Sequence, residues 1–196
     1  MRQTIAKLVS AVIHPVALPL VTLVVVTTTI TGQMRQGVTL AIAALVLTTV
    51  PLAALVGIQV ARGRWTDFDV SVREQRYLLY PFGIACAVLM LIAFAMLRAP
   101  FPAMATALTM TLANVVNGFI NLSYKVSAHA MTASACAALL WLFAPGWGLP
   151  AAFAAVLVGW SRVALGRHTT GQVVLGWLVG VASALAIYFT YPLFTA

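Results

Sequence analysis

Charged residues are scarce in this chain of 196 residues: they make up 7% of it, whereas soluble globular domains carry about 25%. Acidic residues are scarcer still, with three Asp and Glu against eleven Lys and Arg. The hydrophobic residues, 63% of the chain, run in long blocks and do not alternate at period two, which argues against a transmembrane β-barrel. These shortages exclude a water-soluble fold and indicate a helical membrane protein.

Metal-ligating side chains are also few. The two cysteines, Cys86 and Cys136, lie inside apolar runs without metal-type spacing, and we interpret them as small buried apolar residues. The acids are Asp67, Asp69 and Glu74 alone, so neither a carboxylate nor a cysteine cluster suggests a catalytic metal. We therefore expect no metal and no cofactor.

Long apolar segments fill most of the chain. A spanning helix needs roughly 20 apolar residues, which predicts an all-α, polytopic helical bundle of six to seven spans. We expect one integral membrane domain over residues 1–196, with a basic N-terminus that leads into a retained first helix. The seven predicted spans are 8–31, 37–59, 77–97, 101–122, 128–145, 149–165 and 171–193.

Polar residues are gathered in three segments between these spans: 62–76, 121–129 and 161–172. They follow spans two, four and six, so all three should meet at the membrane surface that also holds the N-terminus. Short loops of membrane proteins often collect Arg and Lys. That tendency does not explain His129 and His168, or Arg162 close behind an apolar run, where an ionisable group is a functional candidate.

The third polar segment contains a possible nucleophile. Gln172 follows His168 by four residues and can therefore reach the imidazole from one helical turn away. A hydrogen bond to one ring nitrogen would set the tautomer and leave the other nitrogen free to attack.

The other two segments supply groups that suit a bound phosphate. Ser127 is placed to cap a helix whose first amides would bind an anion, and Lys125 adds a charge beside them. Arg73 and Arg76 offer guanidinium groups for phosphate oxygens. Together with Arg162 and the two histidines they predict a phosphate pocket, in which one histidine is the nucleophile and the other the proton donor.

Two of these motifs resemble signatures of the type-2 phosphatidic acid phosphatase superfamily. Ser161-Arg162-x5-His168 reproduces the third signature, S-R-x5-H-x3-D, except at its last position. Ser127 and His129 keep the serine and the histidine of the second signature, P-S-G-H.

The first signature, K-x6-R-P, is matched only loosely by Arg73-x2-Arg76-x4-Pro81, in which the lysine is not recognisable. The resemblance covers about residues 73–172 and leaves the first two spans outside. It predicts a phosphatase-like core over about 60–193.

The resemblance implies a metal-independent phosphatase. His168 would attack phosphorus and form a phosphohistidine, and His129 would protonate the leaving lipid alcohol. Gln172 stands where the family has Asp. It would orient His168 but would not stabilise the imidazolium as a carboxylate does; Asp69 or Asp67 could supply the missing charge. The candidate phosphate-binding residues are Arg73, Arg76, Lys125, Ser127, Ala128, Ser161 and Arg162.

We therefore predict hydrolysis of a lipid phosphate or diphosphate that resembles phosphatidic acid, phosphatidylglycerol phosphate or an isoprenyl phosphate. The expected partners are this substrate and the bilayer, without nucleic acid, and the sequence leaves the oligomeric state open. The alternatives are a phosphotransferase that uses the same histidine, and a weak or inactive relative that binds or transports a lipid phosphate or another anion. A structural membrane protein with basic loops is a third reading.

Basic residues also predict the orientation. Nine of the eleven lie on the surface that carries the polar segments, and five against two remain when the four predicted phosphate ligands with basic side chains are left out. This predicts a multi-pass protein of the cell membrane with its site in the cytoplasm. His14, beside Pro15 and Pro19 in the first span, is interpreted as a hydrogen-bonded helix histidine.

Overall fold

Eight helices follow one another along the part of the chain that the structure, a computed structural model, describes: residues 2–190. The third contains a π-helical segment at Leu45–Thr49. The helices are α1 (Arg2–Val12), α2 (Ala17–Thr31), α3 (Met34–Ala61), α4 (Arg76–Met96), α5 (Phe101–Asn121), α6 (Ala128–Phe143), α7 (Pro145–Ala164) and α8 (Thr170–Thr190).

Five helices are long and apolar enough to cross a membrane, or six if the bent pair α1 and α2 forms one span. The predicted polytopic helical bundle is confirmed. Each of the seven predicted spans contains a helix, but the fifth, α6, has only 16 residues. The end of the seventh predicted span, residues 191–193, lies outside the described residues.

The first span is broken where its sequence contains a proline. Pro15 has no backbone N–H, and its ring disfavours a helical conformation at His14. Helix α1 therefore ends at Val12 and α2 begins at Ala17, with an angle of 50° between the two. The carbonyl of His14 accepts hydrogen bonds from the amides of Ala17 and Leu18, which begin the second helix.

Helix α6 lies at the centre of the half of the bundle that carries the site. It packs against α2, α5, α7 and α8, and ten of its sixteen residues are buried. Its many alanines allow close approach, and α8 meets it with glycines. A Cβ added at Gly176 would lie 2.8 Å from the carbonyl oxygen of Ser127, and one at Gly180 would overlap Ser134.

A second core joins α2, α3, α4 and α5 through buried side chains such as Leu23, Leu40, Met90 and Phe94. The connection from α3 to α4 contains Val70 with a φ of 47°, a left-handed conformation that a β-branched residue rarely adopts. The Val70 carbonyl accepts a hydrogen bond from Nε of Arg76 at 2.8 Å. This turn lies directly after Asp69, which the next subsection places in the site.

Candidate active site

The three polar segments lie together at one end of the bundle. Nη1 of Arg76 donates to the carbonyl of Val126 at 3.1 Å, which joins the first segment to the second. Nζ of Lys125 donates to the carbonyl of Arg167 at 3.1 Å, which joins the second to the third. The basic groups of separate loops therefore surround one common region.

His168 has a defined hydrogen-bond partner. Its Nδ1 lies 3.0 Å from Oε1 of Gln172, as the spacing of four residues predicts. Oε1 of Gln172 also accepts the backbone N–H of Thr169, while Oγ1 of Thr169 accepts the N–H of Gln172. This reciprocal pair is a capping box at the start of α8. The Thr169 amide can only donate, so the Gln172 atom that it contacts must be the side-chain oxygen. The same oxygen lies against Nδ1 of His168, so Nδ1 carries the proton and Nε2 has the lone pair.

The imidazole of His168 is buried, with 7% of its surface exposed. The pKa of His168 is lowered from 6.5 to about 3. Burial is the largest cause, the hydrogen bond to Gln172 acts in the opposite direction, and the charges of Lys125, Arg76 and Arg162 act in the same direction as burial. At neutral pH the ring is therefore uncharged, and its free nitrogen is available as a nucleophile.

Arg162 is a buried cation that two elements outside its own segment hold in place. Its Nη1 donates to Oγ of Ser10 at 3.0 Å, and its Nη2 forms an ion pair with Asp69 at 3.0 Å. Its Nε is buried without a hydrogen-bond partner. A buried N–H without an acceptor costs about 1–3 kcal/mol, so Arg162 has a donor that a bound anion could satisfy.

Asp69 is the counterion of this guanidinium. Burial raises the pKa of its carboxyl, but the charge of Arg162 and the hydrogen bond from it outweigh burial and lower the pKa below the ordinary value of 3.8. The charges of His129 and Arg167 act in the same direction. The sequence offers Asp69 as one of two possible charged partners for His168. The structure instead pairs its carboxylate with Arg162, and Gln172 accepts from the histidine.

The start of α6 brings His129 to the same region. Oγ of Ser127 accepts the N–H of Ala130 at 3.4 Å, which makes Ser127 the predicted N-cap. The amides of Ala128 and His129 in this first turn have no acceptor within the helix. Ring centroids of His129 and His14 lie 5.8 Å apart in an edge-to-face arrangement.

Lys125 and Arg76 complete the basic surroundings. Arg76 is buried, and the carbonyls of Val70 and Val126 hold it. Burial lowers the pKa of Lys125, and the charges of Arg76 and Arg162 lower it further. Several cations thus lie close enough to repel one another, which favours an anion between them.

Two candidate phosphate ligands are occupied elsewhere. Nη1 of Arg73 donates to the carbonyl of Leu122 at 3.2 Å, and its Nε pairs with Glu74 at 3.3 Å. The hydroxyl of Ser161 is buried and donates to the carbonyl of Val158 in its own helix. These hydrogen bonds join both side chains to neighbouring parts of the protein.

Two residues of the first span contact residues of the site, although the sequence motifs assign neither of them a role there. Ser10 accepts from Arg162, and His14 lies in the break between α1 and α2 and not inside a helix. Both residues lie in the N-terminal part of the first span, and the N-terminus is predicted to share a membrane surface with the polar segments. This position along the chain is the sequence signal that could have identified them.

Among residues 2–190, no group of three or more His, Cys, Asp or Glu side chains is placed to hold a metal ion. The family model of the PAP2 superfamily matches residues 78–195, more than half of the chain, so the predicted resemblance is confirmed. No curated protein and no solved structure matches the chain. The matched region contains His129, Arg162 and His168, whereas Ser10, His14 and Asp69 lie before it.

Proposed function

The chain belongs to the PAP2 superfamily, and we propose that it is a membrane-integral lipid phosphatase that acts through a phosphohistidine intermediate. The observation that carries the proposal is the hydrogen bond from Nδ1 of His168 to Gln172. It leaves Nε2 of a buried, uncharged imidazole as the nucleophile, because the pKa of His168 is lowered to about 3.

The basic groups around His168 support a phosphate as the bound anion. Arg162 contributes a buried Nε without a partner, and Arg76 and Lys125 lie close enough to influence the same imidazole. The first-turn amides of α6, at Ala128 and His129, add the donors of a helix N-terminus. In phosphoryl transfer, charge on the equatorial oxygens must be met by fixed donors of this kind.

The proposed reaction has two steps. Nε2 of His168 donates its lone pair to phosphorus, and the bond from phosphorus to the lipid oxygen breaks. The negative charge of the bound substrate favours a proton on the neighbouring His129, which gives that proton to the leaving oxygen. His129 then removes a proton from a water molecule, which attacks phosphorus and breaks the bond to Nε2. Inorganic phosphate leaves, His168 is again neutral and His129 is again protonated, so the cycle needs no redox partner.

The substrate is proposed to be a lipid because the protein is integral to the membrane. An apolar groove of about 380 Å³ between α6, α7 and α8 supports this, since its side chains could cover a hydrocarbon tail. Trp177, which follows Gln172 by five residues, lines the groove together with Trp141. Phosphatidic acid, phosphatidylglycerol phosphate and isoprenyl phosphates or diphosphates are the candidate substrates.

A second candidate function is binding or transport of a lipid phosphate or another anion without turnover. Gln172 favours it, because a neutral amide orients His168 but stabilises an imidazolium less than a carboxylate does. The two functions differ in whether phosphate is released.

The test is phosphate release by the purified protein in detergent, from the candidate lipids, with and without a metal chelator. We expect release that resists the chelator, is lost in His168→Ala and persists in Thr170→Ala, an exposed position two residues away. Rapid quenching should trap phosphate on the wild type in an acid-labile, base-stable form typical of phosphohistidine. Binding of the lipid by folded protein without any release would favour the second function.

We also propose that the protein lies in the cell membrane with its site in the cytoplasm, on the basis of the distribution of basic residues. Single cysteines at Arg35 and Arg64, in a chain whose two native cysteines are replaced, would test this. A membrane-impermeant thiol reagent added to intact cells should label position 35. Labelling of position 64 would reverse the orientation.

A further inference from the structure

The broken first span lies against two residues of the proposed site, although it is outside the region matched by the family model. Its residues Ser10 and His14 contact Arg162 and His129, respectively. We propose that this break is a working part of the active site: His14 positions the imidazole of His129, and Ser10 positions the guanidinium of Arg162. The inference rests on the proposed phosphatase function.

The contact of Ser10 bridges 152 positions in the sequence. Its hydroxyl is buried, with 9% of the residue exposed, and it accepts Nη1 of Arg162 at 3.0 Å. Asp69 holds the other terminal nitrogen, Nη2. With both terminal nitrogens held, the plane of the guanidinium is set, and Nε is the guanidinium nitrogen that has no hydrogen-bond partner. Together with Asp69, Ser10 thus fixes the orientation in which the guanidinium of Arg162 would meet a phosphoryl oxygen.

The ring of His14 is itself fixed by the backbone of the break. Its Nδ1 accepts the N–H of Val16 at 3.3 Å, so a neutral His14 carries its proton on Nε2. The amide of Val16 is available because the helix ends at Val12. The break therefore serves to hold one imidazole in a defined orientation at the end of the bundle.

His129 meets this fixed ring edge to face, with 5.8 Å between centroids and 76° between planes. The charged or titratable groups around His129 are Arg162, Asp69, His14 and His168. Of these groups, His14 contacts the imidazole of His129 ring to ring. A proton donor must keep its N–H directed at the leaving oxygen, and a displacement of about 1 Å can cost about 100-fold in rate.

The role of His14 can be separated from a general effect on folding by the choice of leaving group. A lipid alcohol needs a proton as it leaves, whereas p-nitrophenolate is stable as an anion and needs little help from His129. His14→Asn keeps an acceptor for the Val16 amide, and so the break, but removes the part of the ring that reaches His129. We expect its kcat to fall about 10- to 100-fold with phosphatidic acid and less than about threefold with p-nitrophenyl phosphate.

Three further variants complete the experiment. Ile13→Ala is the matched control, because Ile13 packs against the apolar cluster of α6 and α7 and should affect both substrates alike. His14→Phe keeps a ring against His129 and should retain more activity toward phosphatidic acid than His14→Asn. Ser10→Ala should raise KM for both substrates several-fold, since Arg162 binds the phosphate that they share.

The outcomes distinguish the two proposals. If the wild type hydrolyses both substrates but His14→Asn lowers both equally, or neither, the role of His14 is overturned while the phosphatase function stands. An unchanged KM in Ser10→Ala would overturn the role of Ser10. A folded wild type that releases no phosphate from p-nitrophenyl phosphate or from any of the candidate lipids would overturn the proposed function, and this inference with it.

Discussion

The backbone amide of Ser127 donates to the carbonyl of Gln172 at 3.1 Å, which joins the start of α6 directly to the start of α8. Ser127 caps the helix that carries His129, and the side chain of Gln172 accepts from His168. This contact therefore joins the two helix starts that carry the histidines to which we assign catalysis. It is possible because Gly176 allows the helices to approach closely.

The close approach predicts a large effect of one added methyl group. A Cβ at position 176 would lie 2.8 Å from the carbonyl oxygen of Ser127 and 3.2 Å from the amide of Met131, so backbone would have to move. We expect Gly176→Ala to lower the free energy of unfolding by about 1–3 kcal/mol and to reduce phosphate release. Gly57→Ala is the control: nothing lies within 4 Å of its Cβ, and a gain of about 0.5–1 kcal/mol is expected. Equal thermal stability of the two variants would contradict the prediction.

Gln172 provides a test of how His168 is activated. Gln172→Glu keeps the acceptor for His168 and for the Thr169 amide but adds a negative charge, which stabilises the imidazolium form. The pKa of His168 should rise, so the acidic limb of kcat/KM should move to higher pH, and phosphohistidine should form faster. Gln172→Ala loses the hydrogen bond and should lose about tenfold or more in kcat. An unchanged pH profile in Gln172→Glu would refute this account.

Arg162 and Arg167 form a matched pair of arginines in one segment. Arg162 is buried and divides its nitrogens between Ser10 and Asp69, whereas Arg167 is exposed and donates to the hydroxyl of Ser71. Lysine has one ammonium group and does not reproduce a planar fork. We expect Arg162→Lys to raise KM about tenfold or more, and Arg167→Lys to change it less than about twofold. Similar effects of the two substitutions on KM would rule out a special role for Arg162.

Stability should depend on pH through His168. Its pKa is about 3 in the folded protein and 6.5 ordinarily, so the unfolded chain binds a proton between these values that the folded chain does not. The contribution of His168 is therefore complete above pH 6.5 and declines as pH falls toward 3. The midpoint of thermal unfolding of the wild type should fall more steeply from pH 7 to pH 4 than that of His168→Gln.

This comparison is best made above pH 4. The pKa of Asp69 lies below 3.8 in the folded protein, so its contribution is present above that value and is lost only at lower pH. The other two histidines are present in both proteins and cancel in the difference. Parallel pH profiles for the wild type and His168→Gln would show that the imidazole is not buried in its neutral form.

Local parts of the site could be predicted from the sequence because they depend on helix spacing. Gln172 lies one turn from His168, and Ser127 precedes an apolar run as an N-cap does; both contacts are present. The partners of Arg162 could not be predicted in this way. Ser10 and Asp69 are 152 and 93 positions distant, and no local periodicity reports contacts of that range.

In the first span, too, the sequence predicts a local feature but not a long-range contact. Pro15 marks the position of a break, since it removes a backbone donor and restricts His14. The angle of 50°, and with it the placement of His14 against His129, depends on how α1 packs on α7 and α2 packs on α6.

The sequence by itself determined that this is a helical membrane protein with three polar segments at one surface, because hydrophobicity and charge act along the chain. Only the tertiary structure decided which groups of those segments face one another. The turn at Val70 places Asp69 beside Arg162. The glycines of α8 allow this helix, which follows His168, to pack closely on α6. The break in the first span places Ser10 and His14 against the site. These contacts arise from packing between segments that are distant in the sequence, and a shift of one helix changes its contacts with all of its neighbours.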